Sequence, residues 1–154
     1  MSIIALPFLV GVIAGLRTMT APAAVSWAAY LGWLPLEGTW LAFLGHPVTA
    51  YLFAALALIE LVVDQLPSTP SRKVPLQFGG RLVMGTLTGA AIGASAGLLV
   101  IGAILGAIGA VAGTLGGAAA RARLAAAFGR DRPAALIEDA VAIGGAFLIM
   151  LALR

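Results

Sequence analysis

The stretch from residue 82 to residue 120 carries no charged side chain, and it constrains the fold more than any other feature of this 154-residue chain. A helix crosses the roughly 30 Å hydrocarbon core of a bilayer with about 20 apolar residues, so this stretch is too long for one span and suffices for two. With 62% hydrophobic residues and a mean hydropathy of +1.09, the chain has more apolar surface than a soluble domain of this size buries. We therefore predict an all-α, polytopic membrane protein.

The same length test predicts about five transmembrane helices in a single domain over residues 1–154. Tryptophan and tyrosine cluster at residues 27–40, as at a membrane interface, and a proline-rich polar loop follows residue 67. The first span is interrupted near Arg17 and Pro22, which predicts a broken first helix. Asp131 is a candidate cap of the last helix. The predicted spans are residues 3–32, 47–66, 82–98, 101–120 and 133–153.

Glycines recur every three or four residues along both halves of the 82–120 hairpin. They fall in two series, Gly85, Gly89, Gly93 and Gly97, then Gly102, Gly106, Gly109, Gly113 and Gly117. This spacing lines one face of each helix and lets backbones approach closely. It predicts a glycine-zipper hairpin, which either packs within the chain or forms the seam of a homo-oligomer.

The basic residues predict the orientation of the chain in the membrane. Seven of the nine lie in or beside the loops at 67–80 and 121–132, which the hairpin brings to one side. By the positive-inside rule these loops and the N-terminus are cytoplasmic, and the C-terminus is outside. This placement explains the formal charge of +3 without nucleic-acid binding.

Ionisable side chains within the predicted spans are the candidate functional residues, because each is costly in lipid unless it faces protein, water or a partner. Glu60 and Asp64 are four residues apart and share a helix face. Glu138 and Asp139 lie at a similar depth in the last span. The two acidic pairs are expected to converge, either as oxygen ligands of a cation or as a proton-accepting cluster. The alternative is that they pair with arginines bordering the same face.

Arg17 lies at the predicted break, beside Thr18 and Thr20. Thr20 is a candidate cap for a second half-helix, whose free N–H groups would favour an anionic group together with the Arg17 guanidinium. The alternative is a salt bridge from Arg17 to Glu60 or Asp64. The candidate ligand- or ion-binding residues are thus Arg17, Thr18, Thr20, Glu60, Asp64, Glu138 and Asp139, and whether a metal binds among them is left open.

Several classes of chemistry find no support in the sequence. The chain has no cysteine, and no phosphate loop, dinucleotide fingerprint or metalloprotease helix is present, so no cofactor is expected. His46, the one histidine, has no serine nucleophile at its depth. We expect no enzyme and no catalytic residue.

Three motifs, in this order, resemble the bacterial membrane family catalogued as domain-of-unknown-function family 4126. They are Gly15-Leu16-Arg17-Thr18, the helix ending Glu60-Leu61-Val62-Val63-Asp64, and the late Leu136-Ile137-Glu138-Asp139. The resemblance covers nearly the whole chain and implies a small multi-span protein of the bacterial inner membrane. It implies no activity. Its motifs contain the five ionisable residues singled out above, namely Arg17, Glu60, Asp64, Glu138 and Asp139.

We expect a small membrane transporter or channel-like protein for an ion or small solute. Its carboxylates and arginine would bind the cargo, which is a cation, a proton or a small anionic solute. It would be a homo-oligomer in the lipid bilayer. The alternative is a non-transporting membrane scaffold or helper protein, in which the buried charges are structural ion pairs.

Overall fold

The computed structural model describes residues 4–65 and 74–154, and within these ranges the chain is helical and contains no strand. The predicted all-α class is confirmed for this part of the chain. A short 3₁₀ helix (Trp40–Gly45) precedes the third of the α-helices. The α-helices are α1 (Ala5–Leu16), α2 (Thr20–Tyr30), α3 (Pro47–Val63), α4 (Pro75–Ala94), α5 (Leu99–Phe128) and α6 (Asp131–Leu153).

Among the described residues, α5 and α6 are the two helices that are long and apolar enough to cross a membrane. Helices α1 and α3 are apolar but shorter. The prediction of about five transmembrane helices is therefore met in part, by these two helices.

Glycine contacts hold α1, α4 and α5 together. A Cβ atom added to Gly89 would lie 2.7 Å from Cα of Gly106, and one added to Gly11 would lie 2.9 Å from the same atom. A Cβ on Gly93 would lie 2.8 Å from Cα of Gly102. Real Cβ atoms essentially never come this close to another atom, so the backbones touch at positions where a side chain larger than hydrogen does not fit. The glycine faces are thus engaged inside the chain, and a homo-oligomer requires another face.

The same contacts give the direction of each helix. Gly11 lies at Gly106 and Gly15 at Thr114, so α1 runs parallel to α5, and α4 runs antiparallel to both. Gly97, with φ +72°, lies in the turn from α4 to α5 and marks one end of the bundle. Gly129, with φ +68°, lies between α5 and α6 and marks the other. We call these the Gly97 end and the Gly129 end.

The predicted break in the first helix is present, since α1 ends at Leu16 and α2 begins at Thr20, and the two helices form a hairpin. Leu6, near the start of α1, shares a cavity of about 280 Å³ with Trp33, just beyond α2, and with Leu153. The Arg154 guanidinium lies 5.8 Å from the Trp33 ring centroid. The chain therefore starts at the Gly97 end, turns back at residues 17–19 and returns to the same end. The described part of the predicted span at 3–32 thus consists of two helices of opposite direction, and apolar length does not reveal such a reversal.

Both described ends of the chain lie at one end of the bundle, whereas the sequence predicts termini on opposite sides of a membrane. Residue 4 and Arg154 both lie at the Gly97 end, since α6 runs from the Gly129 end towards it. Described termini at the same end of the bundle do not require an odd number of membrane-spanning helices. The basic connection between α5 and α6 lies at the opposite end of the bundle from both described termini.

Helix α5 runs further than predicted and takes up most of the loop expected at 121–132. Residues 121–128 are mostly alanine, arginine and leucine, which favour helix. The helix ends where Gly129 adopts the left-handed conformation. Helix α4 begins at Pro75, in the loop expected at 67–80, of which residues 67–73 lie outside the described ranges. Proline suits this first position because its missing N–H has no helical partner there.

Large apolar side chains lie on the outer surface of the bundle, and two arginines are buried inside it beside a hydrophobic core. Leu76, Val62 and Val100 are 85%, 67% and 66% exposed. By contrast, Arg17 is 0% exposed and Arg81 is 3% exposed. A protein folded in water shows the opposite distribution of charged and large apolar side chains.

Candidate functional site

The site is built around the tip of the α1–α2 hairpin. Helix α1 ends at Leu16, Arg17 is extended with φ −138° and ψ 113°, and α2 begins at Thr20. Pro22 lies in the first turn of α2, where its missing N–H interrupts no helical hydrogen bond. The tip exposes helix-end N–H and C=O groups, which need partners when they are buried.

Two charged side chains from other helices satisfy these backbone groups. Nη1 of Arg81, on α4, donates to the carbonyl oxygens of Gly15 and Leu16 at 2.9 and 2.8 Å. The carboxylate of Glu60, on α3, accepts from the N–H groups of Thr18 at 2.7 Å and Met19 at 2.8 Å. The cation thus meets the negative end of one helix, and the anion meets the positive end of the other.

Arg17 is the centre of an ion-pair cluster. Its Nε lies 2.6 Å from Oδ1 of Asp139 on α6, and its Nη1 donates to Oδ2 of Asp64 at the end of α3. Its Nη2 lies 3.8 Å from Oε2 of Glu138. One buried guanidinium therefore joins α3 and α6 to the hairpin tip.

The cluster continues towards the Gly129 end through Glu138. Oε2 of Glu138 lies 3.4 Å from Nη1 of Arg121 on α5. Arg121 in turn donates from Nε and Nη2 to the two carboxylate oxygens of Asp131, at 2.9 and 2.5 Å. Arg121 and Asp131 thereby fasten the end of α5 to the start of α6.

A cavity of about 350 Å³ opens beside the hairpin tip, between α3 and the start of α4. Thr18, Glu60, Asp64 and Gln77 supply polar groups to its wall, and the rest of the lining is mainly apolar. Arg17, Glu138 and Asp139 do not line it. Two carboxylates are therefore accessible from this cavity, while the guanidinium that pairs with Asp64 lies behind them.

The structure brings the predicted acidic residues together, but not in the arrangement of a metal site. Asp64, Glu138 and Asp139 all face Arg17, whereas Glu60 faces backbone N–H groups. Among the described residues, no group of three or more Asp, Glu, His or Cys side chains is placed to hold a metal ion. The anionic position predicted at the start of α2 is filled by the chain's own Glu60.

The two predicted helix caps are wrong. Thr20 makes no capping hydrogen bond, and within the described ranges its buried hydroxyl has no hydrogen-bond partner. The reason is that Glu60 already satisfies the N–H groups that lead into α2. Asp131 lies in the first turn of α6 rather than at its cap position, which Arg130 occupies, and its carboxylate accepts from Arg121.

Sequence reasoning placed Arg81 on a loop at the edge of the membrane and missed its burial against α1. A signal was present, since Arg81 precedes Gly85, Gly89 and Gly93 at the same interval of four residues. Residues four apart share a helix face. Arg81 therefore had to lie on the glycine face, which packs against α1 and α5.

No family model matches the chain, and neither the curated proteins nor the solved structures contain a match to it.

Proposed function

We propose that the chain is a small transporter or channel-like protein of the bacterial inner membrane that conducts or carries a proton or a small cation. Its cargo would bind at Glu60 and Asp64 in the cavity beside the hairpin tip. The observation that carries the proposal is that both carboxylates line this cavity at a discontinuity in the backbone. Irregular backbone at membrane depth is typical of ion and solute pathways.

Membrane insertion is supported by the exposed surface. Side chains such as Leu58 and Phe147 project outward from α3 and α6, at 66% and 60% exposure. We infer that α3 to α6 cross the membrane and that α1 and α2 form a re-entrant hairpin. At 1.5 Å per residue, α1 and α2 are each only about 17 Å long, roughly half of the hydrocarbon thickness, whereas α4 is about 30 Å long.

The basic connection between α5 and α6 supports an orientation with the Gly129 end in the cytoplasm. Both described ends of the chain would then face the periplasm. The cavity at Glu60 lies near the start of α4, so it would open towards the cytoplasm.

A proton or cation fits the site better than an anion. The positions that would attract an anion already hold carboxylates of the chain: Asp64 and Asp139 on Arg17, and Glu60 on the α2 N-terminus. In contrast, Glu60 and Asp64 line an open cavity. A carboxylate that binds a proton or cation there would loosen its contacts with the hairpin tip.

The second candidate is a non-transporting scaffold in which all of these charges are structural. It is favoured by the complete burial of Arg17 between Asp64 and Asp139. Removing one partner of a buried ion pair strongly destabilises the protein, and such a pair can be purely structural without any ligand.

Thermal unfolding of the detergent-purified protein separates the two candidates. The wild type, Glu60→Gln and a control, Glu37→Gln, would be compared across pH and a panel of alkali and alkaline-earth cations. Glu37 is an exposed acidic residue outside the cluster. A ligand present at about 100 times its Kd should stabilise the protein by about 2.7 kcal/mol.

The transporter proposal predicts stabilisation by a cation in the wild type and in Glu37→Gln, and its loss in Glu60→Gln. The scaffold predicts no ligand effect in any of the three, with Glu60→Gln simply less stable.

A further inference from the structure

Gly80 is a residue of the cavity at Glu60 that helix packing does not explain. It lies in the second turn of α4, where glycine is less favourable than alanine. Gly85, Gly89 and Gly93, further along α4, touch the backbones of neighbouring helices. By contrast, a Cβ atom added to Gly80 would meet no atom of the described residues within 4 Å. Gly80 lines the cavity instead, so its missing side chain leaves the cavity wider.

Three elements form the wall of this cavity, and each supplies an oxygen-bearing side chain. These are Glu60 and Asp64 of α3, Thr18 of the hairpin tip and Gln77 of α4. Among the described residues that line the cavity, none is basic. Hard cations bind oxygen ligands from carboxylates, amides, hydroxyls and water. The composition of the wall therefore suits a cation.

The side chain of Thr18 gives a second, independent indication of a ligand. Thr18 is 8% exposed and lines the cavity. Its backbone N–H donates to Glu60, but within residues 4–65 and 74–154 its hydroxyl makes no hydrogen bond. Burying a hydroxyl costs free energy unless it finds a partner. A cation in the cavity, or a water molecule bound to that cation, would supply this partner.

The charge and the volume of the cavity favour a monovalent cation over a proton. Asp64 is paired with Arg17, whereas Glu60 faces N–H groups and, in the described part of the chain, no basic side chain. One carboxylate of the wall thus lacks an ionic partner, which matches a single positive charge. The volume of about 350 Å³ is many times the roughly 30 Å³ of one water molecule, so a cation can enter with water ligands. A proton needs no such space.

We propose that an alkali cation binds in this cavity with several of its water ligands, and that Gly80 keeps open the space it requires. The Glu60 carboxylate, the Thr18 hydroxyl and the Gln77 amide oxygen would face the hydrated cation. Gly80 is then a specificity-determining residue, because a side chain there would narrow the cavity from the α4 wall. The inference rests on the proposed function and narrows its cargo to an alkali cation.

Gly80→Leu and a matched control, Gly79→Leu, test the inference in the detergent-purified full chain. Both glycines are half-buried in the same turn of α4, and neither added Cβ atom would meet a described atom within 4 Å. Gly80 lines the cavity and Gly79 does not. The unfolding temperature would be measured against the concentration of NaCl and of KCl, with N-methylglucamine chloride holding the ionic strength constant.

We expect Na⁺ or K⁺ to raise the unfolding temperature of the wild type and of Gly79→Leu with the same apparent Kd. Gly80→Leu should weaken this Kd at least about tenfold. Each variant is compared with itself in the absence of the cation, so a change in its basal stability does not affect the result. Gly80→Ala, with a smaller side chain, should give an intermediate Kd, and it serves as the test if Gly80→Leu does not fold.

Equal Kd values in the Gly80 and Gly79 variants would overturn the inference. So would a folded wild type that neither cation stabilises. Failure of the transport proposal has a different signature in reconstituted vesicles. Uptake of protons without any effect of Na⁺ or K⁺ on stability would refute the inference alone, whereas Gly80-dependent cation binding without uptake of any ion would support the inference and refute transport.

Discussion

Nε of Arg17 lies 2.6 Å from Oδ1 of Asp139, although the two residues are 122 positions apart in the chain. This contact joins the tip of the first hairpin to the last helix. Because Arg17 also binds Asp64, the same guanidinium connects α3 to both. The charged centre is therefore where elements from the beginning, middle and end of the sequence meet.

Replacing Arg17 should destabilise the fold strongly. Arg17→Gln leaves the Asp64 and Asp139 carboxylates buried without their cation, which should cost about 3–5 kcal/mol. Arg17→Lys keeps the charge but lacks the planar fork that reaches both carboxylates, so its loss should be intermediate. Unfolding in detergent, followed by circular dichroism, measures both.

The control for this series is Arg154→Gln, an exposed basic residue whose contact is with the Trp33 ring. It should cost less than about 1 kcal/mol. The ion-pair account would be wrong if Arg17→Gln were as mild as this control. A further check is Arg17→Gln combined with Asp139→Asn, which should be less destabilised than the sum of the single changes by about 0.5–3 kcal/mol.

The glycine contacts predict that two glycine-to-alanine substitutions, one on α4 and one on α5, differ in their effect on stability. Gly89→Ala places a methyl group 2.7 Å from Cα of Gly106, so α4 and α5 must separate, and we expect a loss of about 1–3 kcal/mol. Gly116→Ala, on α5, meets no atom within 4 Å and should be neutral or stabilising by up to about 1 kcal/mol. Denaturation in detergent compares them. Similar stability of the two variants would show that the helices do not touch at Gly89.

Arg81 should be required for the end of α1. Arg81→Gln leaves the Leu16 carbonyl without its charged donor and the Gly15 carbonyl with only the longer contact from Thr114, at 3.4 Å. An unsatisfied buried group costs about 1–3 kcal/mol. Arg81→Lys should recover part of this loss, since an ammonium group still donates. Gln77→Ala, one turn earlier on α4, is the matched control and should have little effect on thermal unfolding. Equal stability of Arg81→Gln and this control would contradict the capping role.

The direction of α1 predicts that both described ends of the chain lie on one side of the membrane. The chain contains no cysteine, so single cysteines give a clean readout. Ile4→Cys and Arg154→Cys should react with an impermeant maleimide from the outside of intact spheroplasts, and Arg130→Cys only after permeabilisation. Reaction of Ile4→Cys and Arg130→Cys from the same side would mean that α1 crosses the membrane.

The convergence of charges could be predicted from the sequence, whereas their partners could not. Glu60, Asp64, Glu138 and Asp139 stand out because a charge in an apolar segment is costly without a partner. That cost says nothing about which partner is used. The contact of Glu60 with two backbone N–H groups depends on the exact place where α1 stops.

The hairpin formed by α1 and α2 could not be predicted from the sequence either. Residues 3–32 are long enough for one span, and hydropathy measures length and polarity but not direction. The chain reverses within residues 17–19, which contain no glycine in the left-handed conformation. The sequence therefore carries no turn signal at this point. The packing of Gly11 on Gly106 gives the direction of α1, and the cavity that Leu6 shares with Trp33 shows that the segment returns to its starting end.

Ion uptake into proteoliposomes tests the central claim most directly. Purified wild type, Glu60→Gln and Glu37→Gln would be reconstituted, and proton and alkali-cation uptake driven by a membrane potential would be followed with dyes for pH and for the cation. The account predicts uptake above that of protein-free vesicles in the wild type and in Glu37→Gln, and at least about a tenfold lower rate in Glu60→Gln, equivalent to about 1.4 kcal/mol in activation free energy. Uptake no faster than in protein-free vesicles, from wild type that is folded and inserted, would contradict it, as would a Glu60→Gln variant that takes up ions at the wild-type rate.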